Sequence, residues 1–423
     1  MYRHLKGEWM AILNYQDMMK ALGYTKPQQK HQLIYDAWAK EPIVWYFPQG
    51  DLDFIIQSLS LDQVENEAIK HAHSVILDDT TLYQIMSFIQ AITIQKAHPS
   101  DWLANQAPQI THPILSTSVI QLIAILSLIP LAKKDYQDRA ISDEHMMFNL
   151  NHLKGYIKNY RIKHQKVGIE LYGWTTYLAS LGLIHLGYLH FMHHQYNDPF
   201  IFYRHKTTSS VLAIAKEGLS VRKDGQFNGV NKVFDLRNIT TLEIENNKIM
   251  AYPVHPKGFI QTDPISIRLE DYECILKPGD VVIDFHIPTR SNYSISGIKH
   301  SFEEAISFFR NHYKDYDYQA FWCTSWLYSP QIESLISKEE SNILQVARQG
   351  YRLPATPGAE SLYSFVFQTE NPDFKTIHPK TSLESSVIDY VQQGHTINAG
   401  CYLYFIDDIH LFGKMPYLTD VRS

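Results

Sequence analysis

The stretch Asp280–Phe367 decides the fold: it opens DVVIDFHIPTRSNYSISGIKHSFEEAISFFRNHY, continues as QAFWCTSWL at 319–327 and SPQIESLISKEESNILQVARQ at 329–349, and closes on SFVF at 364–367. Val281–Ile287 is a β-branched and aromatic run of strand length, whereas Ser301–Tyr313 carries apolar residues at three-and-four spacing. The expected order is strand, loop, helix, strand, helix, strand. Ser301 followed by Glu304 has the spacing of a capping box, which places a helix start at the serine. Phe302, Ala305, Phe308 and Phe309 then form one apolar side, and that side needs a sheet to cover it.

Working outward, 423 residues are too many for one comfortable core, so two or three domains are expected. An apolar fraction of 45%, with 27 Tyr, 20 Phe and 7 Trp, supplies packed cores and excludes a disordered chain. The formal net charge of -6 gives the whole molecule no attraction for a nucleic-acid backbone. Three scattered cysteines, Cys274, Cys323 and Cys401, fit a reducing compartment better than a disulfide framework, and the opening MYRHLKGEWMAI lacks the apolar core of a secretory leader. A cytoplasmic location is therefore expected.

The region before the deciding stretch reads as helical. A first amphipathic element ends near Gly23, and His31–Lys40 has Leu33, Ile34 and Trp38 as its apolar stripe. Pro42–Gly50 is a short crossing that inserts aromatics into a core. Asp62 with Glu65 caps a helix through His73, and Leu82, Ile85, Met86, Ile89 and Ile92 recur at helical spacing in the next. Pro113–Ala132 is near the length of a membrane span, but Ser116, Ser118, Gln121, Ser127 and Pro130 interrupt it, so it reads as a buried helix. Ser142–Tyr160 is a further helix packed through Phe148, Leu150, Leu153 and Ile157. The helical domain is expected to end between 130 and 160. From Asn197 to Asp280, short strands alternate with turns at Asp224-Gly225, Asn228-Gly229 and, more weakly, Asn246-Asn247. That region is either an antiparallel extension of the main sheet or a small inserted domain.

No Walker loop, GxGxxG fingerprint, HExxH helix or GxSxG elbow occurs. His190, His193 and His194 lack the Cys or carboxylate spacing of a coordination set, so a solvated strand end explains them better than a metal. His286 lies at the carboxyl end of its strand, where a neutral imidazole either accepts a proton from an attacking amine or water, or holds the IPTR turn. The loop Thr289–Lys299, with Ser291, Asn292, Ser294, Ser296 and Gly297, lets a backbone approach a phosphate near a helix start, although Glu303 and Glu304 oppose an anion there. Cys323, flanked by large aromatics, reads as a core cysteine rather than a nucleophile. Ser325 either faces a ligand cleft or satisfies a backbone group, and Asn342 caps a local helix or binds its connecting loop.

In sum these landmarks resemble the bacterial acyltransferase-domain proteins that pair a helical N-acyltransferase-type N-terminal domain with a GNAT-like C-terminal domain. The resemblance is carried by Gly173-Trp174, Leu186-Gly187-Tyr188-Leu189-His190-Phe191, Gly279-Asp280-Val281-Val282 with His286-Ile287-Pro288, Ala305 with Phe308-Phe309, Cys323 with Ser325-Trp326-Leu327, Ser341-Asn342-Ile343-Leu344, and Phe365-Val366-Phe367. It is strongest over 165–191 and 279–405 and departs at His190-Phe191-Met192, where such proteins more often carry a glutamine and then an acidic residue. The resemblance implies an α+β chain: a helical domain over 1–155, then a GNAT-like mixed β-sheet domain with packed helices over 156–415, with a β-rich insertion at 200–278. It further implies transfer of an acyl group from acetyl-CoA or another acyl-CoA to a small-molecule amine acceptor, without a metal, nucleic acid or membrane insertion. His286 would be the base, Ser325 and Asn342 positioning groups, and Thr289, Ser291, Asn292, Ser296 and Gly297 the pyrophosphate contacts. The competing expectation is a non-catalytic acyl-CoA or small-ligand binding protein with the same fold.

Overall fold

The structure, a computed structural model, describes residues 2–3, 9–24, 29–40, 45, 47–94, 107–180, 182–288 and 291–418. The fold is α+β and divides into two compact units, Met1–His185 and Leu186–Ser423. The expected boundary at 155 falls inside the helix Asp143–His164.

The first unit is helical over most of its described length. Its helices include Tyr15–Ala21, Gln29–Lys40, Gln49–Leu59, Gln63–Asp78, Thr80–Ile94, Thr117–Leu126, Ile129–Asp138, Asp143–His164 and Tyr172–Ala179. The capping box expected at Asp62 and Glu65 is present: Glu65 N donates to Asp62 Oδ1 at 3.0 Å, and Asp62 N to Glu65 Oε2 at 3.1 Å. Trp38, Trp45, Phe47 and Tyr83 are buried, so the two described aromatics of the proline-bounded crossing, Trp45 and Phe47, do enter the core. Leu33 is a correction, being 64% exposed while Tyr35 takes its place on the buried side. The expected membrane-length run is two helices. Together Thr117–Asp138 has the length and apolarity to cross a membrane, yet 67% of that window is buried within the protein.

Within the second unit, five strands of a six-stranded mixed sheet run in the order Tyr351–Pro354, Gly400–Phe405, Tyr318–Ser325, Val281–His286, Leu189–Gln195. Four neighbouring pairs hold them together. Three are antiparallel, and Val281–His286 with Tyr318–Ser325 is the parallel one. A parallel pair requires a crossover, which the helix Ile295–His312 supplies. Its expected apolar residues Phe302, Ala305, Phe308 and Phe309 are all buried, and the Phe302 ring stacks on Phe321 with centroids 3.9 Å apart. That contact ties the helix to the strand it introduces.

Residues 200–276 build sheets of their own instead of extending the main one. One has five antiparallel strands ordered Phe259–Ile260, Pro253–His255, Val211–Ala215, Phe200–His205, Tyr272–Leu276. Another has three, Ile265–Arg268, Lys248–Ala251 and Leu242–Glu245. The weaker turn signal makes the tightest hairpin: Glu245 pairs with Lys248, and both intervening residues, Asn246 and Asn247, adopt positive φ. Asparagine tolerates that conformation better than most side chains.

Two parts of the deciding stretch differ from expectation. The crossover helix begins at Ile295, capped by Ser294, whose side chain accepts from Gly297 N at 3.1 Å. Ser301 therefore caps nothing. It lies buried inside the helix, donates to Gly297 O at 3.0 Å, and accepts from Tyr188 N at 2.8 Å. The SFVF run is the end of the helix Glu360–Phe367, not a strand. The strands that complete this side of the sheet are Tyr351–Pro354 and Gly400–Phe405.

Candidate active site at the opening of the parallel pair

The parallel ladder runs from Val281–Tyr318 through Ile283–Phe321, with a register shift between them, to Asp284–Trp322. Beyond that point each strand keeps only its outer partner among the described residues. Phe285 and His286 stay paired to Phe191 and His190, while Cys323, Thr324 and Ser325 stay paired to Tyr402, Cys401 and Gly400. The two strands thus separate at their carboxyl ends, where open α/β sheets admit ligands.

Strand alternation assigns the two faces of this opening. On the face covered by the crossover helix, Phe285, Cys323 and Tyr402 meet Tyr328, whose ring lies 4.5 Å from that of Tyr402. Tyr293, from the loop after the first strand, donates to Tyr328 Oη, from the turn after the second, at 2.9 Å. These rings fill that side. Burial, with the charge of Asp284 adding to it, pushes the Cys323 thiol well above its ordinary value, so it is a core cysteine and not a nucleophile.

The opposite face is polar. Asp284 and His286, two residues apart, project to the same side, and His286 Nε2 lies 3.3 Å from Asp284 Oδ2. Met192 faces Asp284 across the antiparallel pair, and its Sδ is 3.2 Å from His286 Nε2. Burial opposes the charged imidazole, but the charge and hydrogen bond of Asp284 outweigh it, and His286 is held above its ordinary value. A proton on Nε2 shared with Asp284 leaves Nδ1 as the basic nitrogen of the neutral ring. Asp284 is buried, and its Oδ1 has no hydrogen-bond partner among the described residues.

Farther along the same face, His194 stacks on Trp322 at 4.8 Å, and Trp322 Nε1 donates to Asp198 Oδ2 at 2.6 Å. Burial raises the Asp198 carboxyl above its usual range despite that hydrogen bond. The histidines at 190, 193 and 194 are thus not a solvated strand end. His190 is buried, and His193 Nδ1 shares a 3.0 Å hydrogen bond with Tyr318 Oη.

The other expected site residues are spread around this opening. Ser325 sits at its lip, where its side chain accepts from Leu327 N at 3.3 Å and so satisfies a backbone group. Ser291 Oγ lies 2.9 Å from Tyr188 O and 2.6 Å from Pro288 O, and its one proton is shared between these carbonyls, fixing the loop. Asn292 is exposed and accepts from Ser294 Oγ. Ser296 and Gly297 belong to the first turn of the crossover helix rather than to the loop, and a Cβ on Gly297 would meet Asn292 O at 2.3 Å. Thr289 lies outside the described residues. Asn342 is the first residue of the helix Asn342–Ala347, and Ser341 holds the N-cap position without a side-chain cap bond. Asp284 was not foreseen, although a lone carboxylate in a buried β-branched strand, in phase with His286, is a readable signal.

A mixed sheet with one parallel pair opened at its carboxyl ends and joined by a packed crossover helix defines a GNAT-like domain. The model of the GNAT-like C-terminal domain family matches residues 183–403, more than half of the chain, and the chain belongs to that family. A search of curated proteins finds no match. Among solved structures, the chain is similar to an acyltransferase in complex with decanoyl-CoA and teicoplanin, with a TM-score of 0.58 and 17% identity over 93% of this chain and 100% of that one. It is likewise similar to an acyltransferase mutant in complex with octanoyl-CoA, with a TM-score of 0.58 and 16% identity over 93% of this chain and 99% of that one. The likeness is one of fold.

Proposed function

We propose that the chain is an acyltransferase that moves an acyl group from an acyl-CoA thioester to an amine. The observation that carries this reading is the separation of Val281–His286 from Tyr318–Ser325 beyond Asp284 and Trp322, with a histidine–carboxylate pair on its polar face. The similarity to acyltransferases seen with octanoyl-CoA and decanoyl-CoA supports an acyl-CoA as donor. Aromatic rings fill the helix-side face, which supports a thioester carbonyl lying on the face of His286.

The chemistry needs no covalent enzyme intermediate. The amine nitrogen attacks the thioester carbonyl while His286 takes its proton, and collapse of the tetrahedral adduct expels the CoA thiolate, which is then protonated. Asp284 orients the imidazole and stabilises its charged form. The loop from Ser291 to the start of the crossover helix supplies backbone amides for the pyrophosphate, with Ser291, Asn292, Ser296 and Gly297 shaping it. Ser325 and Asn342 hold the turns that follow, as positioning residues.

Turnover of acetyl-CoA and octanoyl-CoA across a panel of amines, followed by release of free thiol, tests this reading. His286→Ala is expected to lower kcat by roughly a hundredfold or more while leaving acyl-CoA affinity nearly unchanged. Acyl-CoA binding without turnover on any amine would favour a ligand-binding protein of the same fold.

A further inference from the structure

We propose that Asp284 has a second task, docking the acceptor as an ammonium on Oδ1, so that the site selects cationic amines over neutral nucleophiles; this rests on the acyl-transfer reading. The side chain is 9% exposed, Oδ2 is engaged by His286, and Oδ1 is buried with no hydrogen-bond partner among the described residues. A buried carboxylate oxygen without a donor is costly and rare in folded proteins, and a ligand donor removes the cost.

The surroundings favour a donor with positive charge. None of the strands Leu189–Gln195, Val281–His286, Tyr318–Ser325 or Gly400–Phe405 contains a Lys or Arg. Asp198, close enough for its charge to be felt with that of Asp284, adds a second carboxylate to the same face. The titratable groups contributed there by the neighbouring strands are His190, His194 and Cys401. A hydroxyl group would satisfy the hydrogen bond but not the charge. Met192, opposite Asp284 in register and in contact with His286, covers the pair, and an unbranched thioether is a side chain able to give way.

The steps balance. One N–H of the ammonium pairs with Asp284 Oδ1 and another proton passes to the neutral imidazole of His286. The lone pair so released forms the C–N bond as the carbonyl opens; when it re-forms, the C–S bond breaks, the thiolate leaves with the electron pair and takes up the second N–H proton, giving the amide, the CoA thiol and an imidazolium that returns its proton to solvent.

The experiment titrates the intact protein with n-butylammonium chloride and, separately, with 1-butanol, reading the backbone amides of Ile283, Asp284 and Phe285 by NMR. Saturable binding of butylammonium at least about tenfold tighter than butanol is expected, weakened at least about tenfold by Asp284→Asn and little changed by His286→Gln. Equal response to the two probes in the unaltered protein, or unchanged butylammonium affinity in Asp284→Asn, overturns the proposal. Acyl-CoA binding is measured on the same sample by calorimetry. Its absence would remove the transferase reading while leaving the ammonium result to stand on its own.

Discussion

Replacing Asp284 by Asn removes the carboxylate that holds His286 above its ordinary value and leaves the strand intact, so the consequence can be worked from two opposing effects. Nε2 and Oδ2 are 3.3 Å apart, and the imidazole is 34% exposed. A hydrogen bond to a charged group contributes about 1.5–3 kcal/mol, and solvent screening at this exposure places the pair near the lower end. About 1.4 kcal/mol corresponds to one pKa unit. Burial, the effect that Asp284 overcomes, is then unopposed, so His286 is expected to move from above its ordinary value of 6.5 to below it. Since the neutral ring is the base, the acid limb of kcat/KM should shift toward lower pH. The assay is a pH–rate profile with a saturating amine, paired with NMR titration of the ring. A limb that stays in place or moves to higher pH would refute the assignment of His286 and Asp284 as a coupled pair.

Three further outcomes follow from the same geometry. The charge-linked stabilisation from this pair is fully present below the unfolded imidazole value of 6.5 and is lost as pH rises through the raised folded value, so the urea stability difference between the unaltered protein and His286→Gln should shrink from pH 5.5 to pH 8.5, and growth would contradict it. Gly187→Ala places a Cβ 2.5 Å from Ser301 Oγ and 2.9 Å from Ser301 Cα at a φ of +59°, and should cost about 2–4 kcal/mol in urea unfolding from strain and overpacking together. Trp322→Phe takes the indole donor from Asp198 and should cost about 1–3 kcal/mol, with an unchanged midpoint counting against that hydrogen bond.

The parts of this fold that could be read from sequence were those with one dominant signal. Val281–Ile287 and the FWCTS run are dense in β-branched and aromatic residues, and both are strands, the first ending one residue earlier at His286. The crossover helix showed its apolar face but not its beginning, because Ser294, Ser296 and Gly297 form a small polar run that resembles a loop until Ser294 is seen capping it. Ser301 and Glu304 had capping-box spacing, yet a buried serine bonding back to the fourth residue before it and taking an amide from a distant turn leaves the same sequence trace. SFVF was too short for periodicity to separate helix from strand. Gly400–Phe405 was passed over as a strand, although it pairs with both Tyr318–Ser325 and Tyr351–Pro354. At the site, His286 stood out because it ends a strand. Asp284 was readable as a lone carboxylate in phase with His286, but its burial and an Oδ1 without a hydrogen-bond partner among the described residues are visible only once the chain is folded.

The central claim concerns where an acyl-CoA lies, and a crystal structure of the protein soaked with a non-hydrolysable acyl-CoA thioether tests it most directly. The account predicts density entering between Val281–His286 and Tyr318–Ser325 beyond Asp284 and Trp322, with the acyl carbonyl on the His286 face and the pyrophosphate against the start of Ile295–His312. Density at another place on the second unit, or Tyr293 and Tyr328 joined as before with no ligand between the strands at saturating concentration, would contradict it.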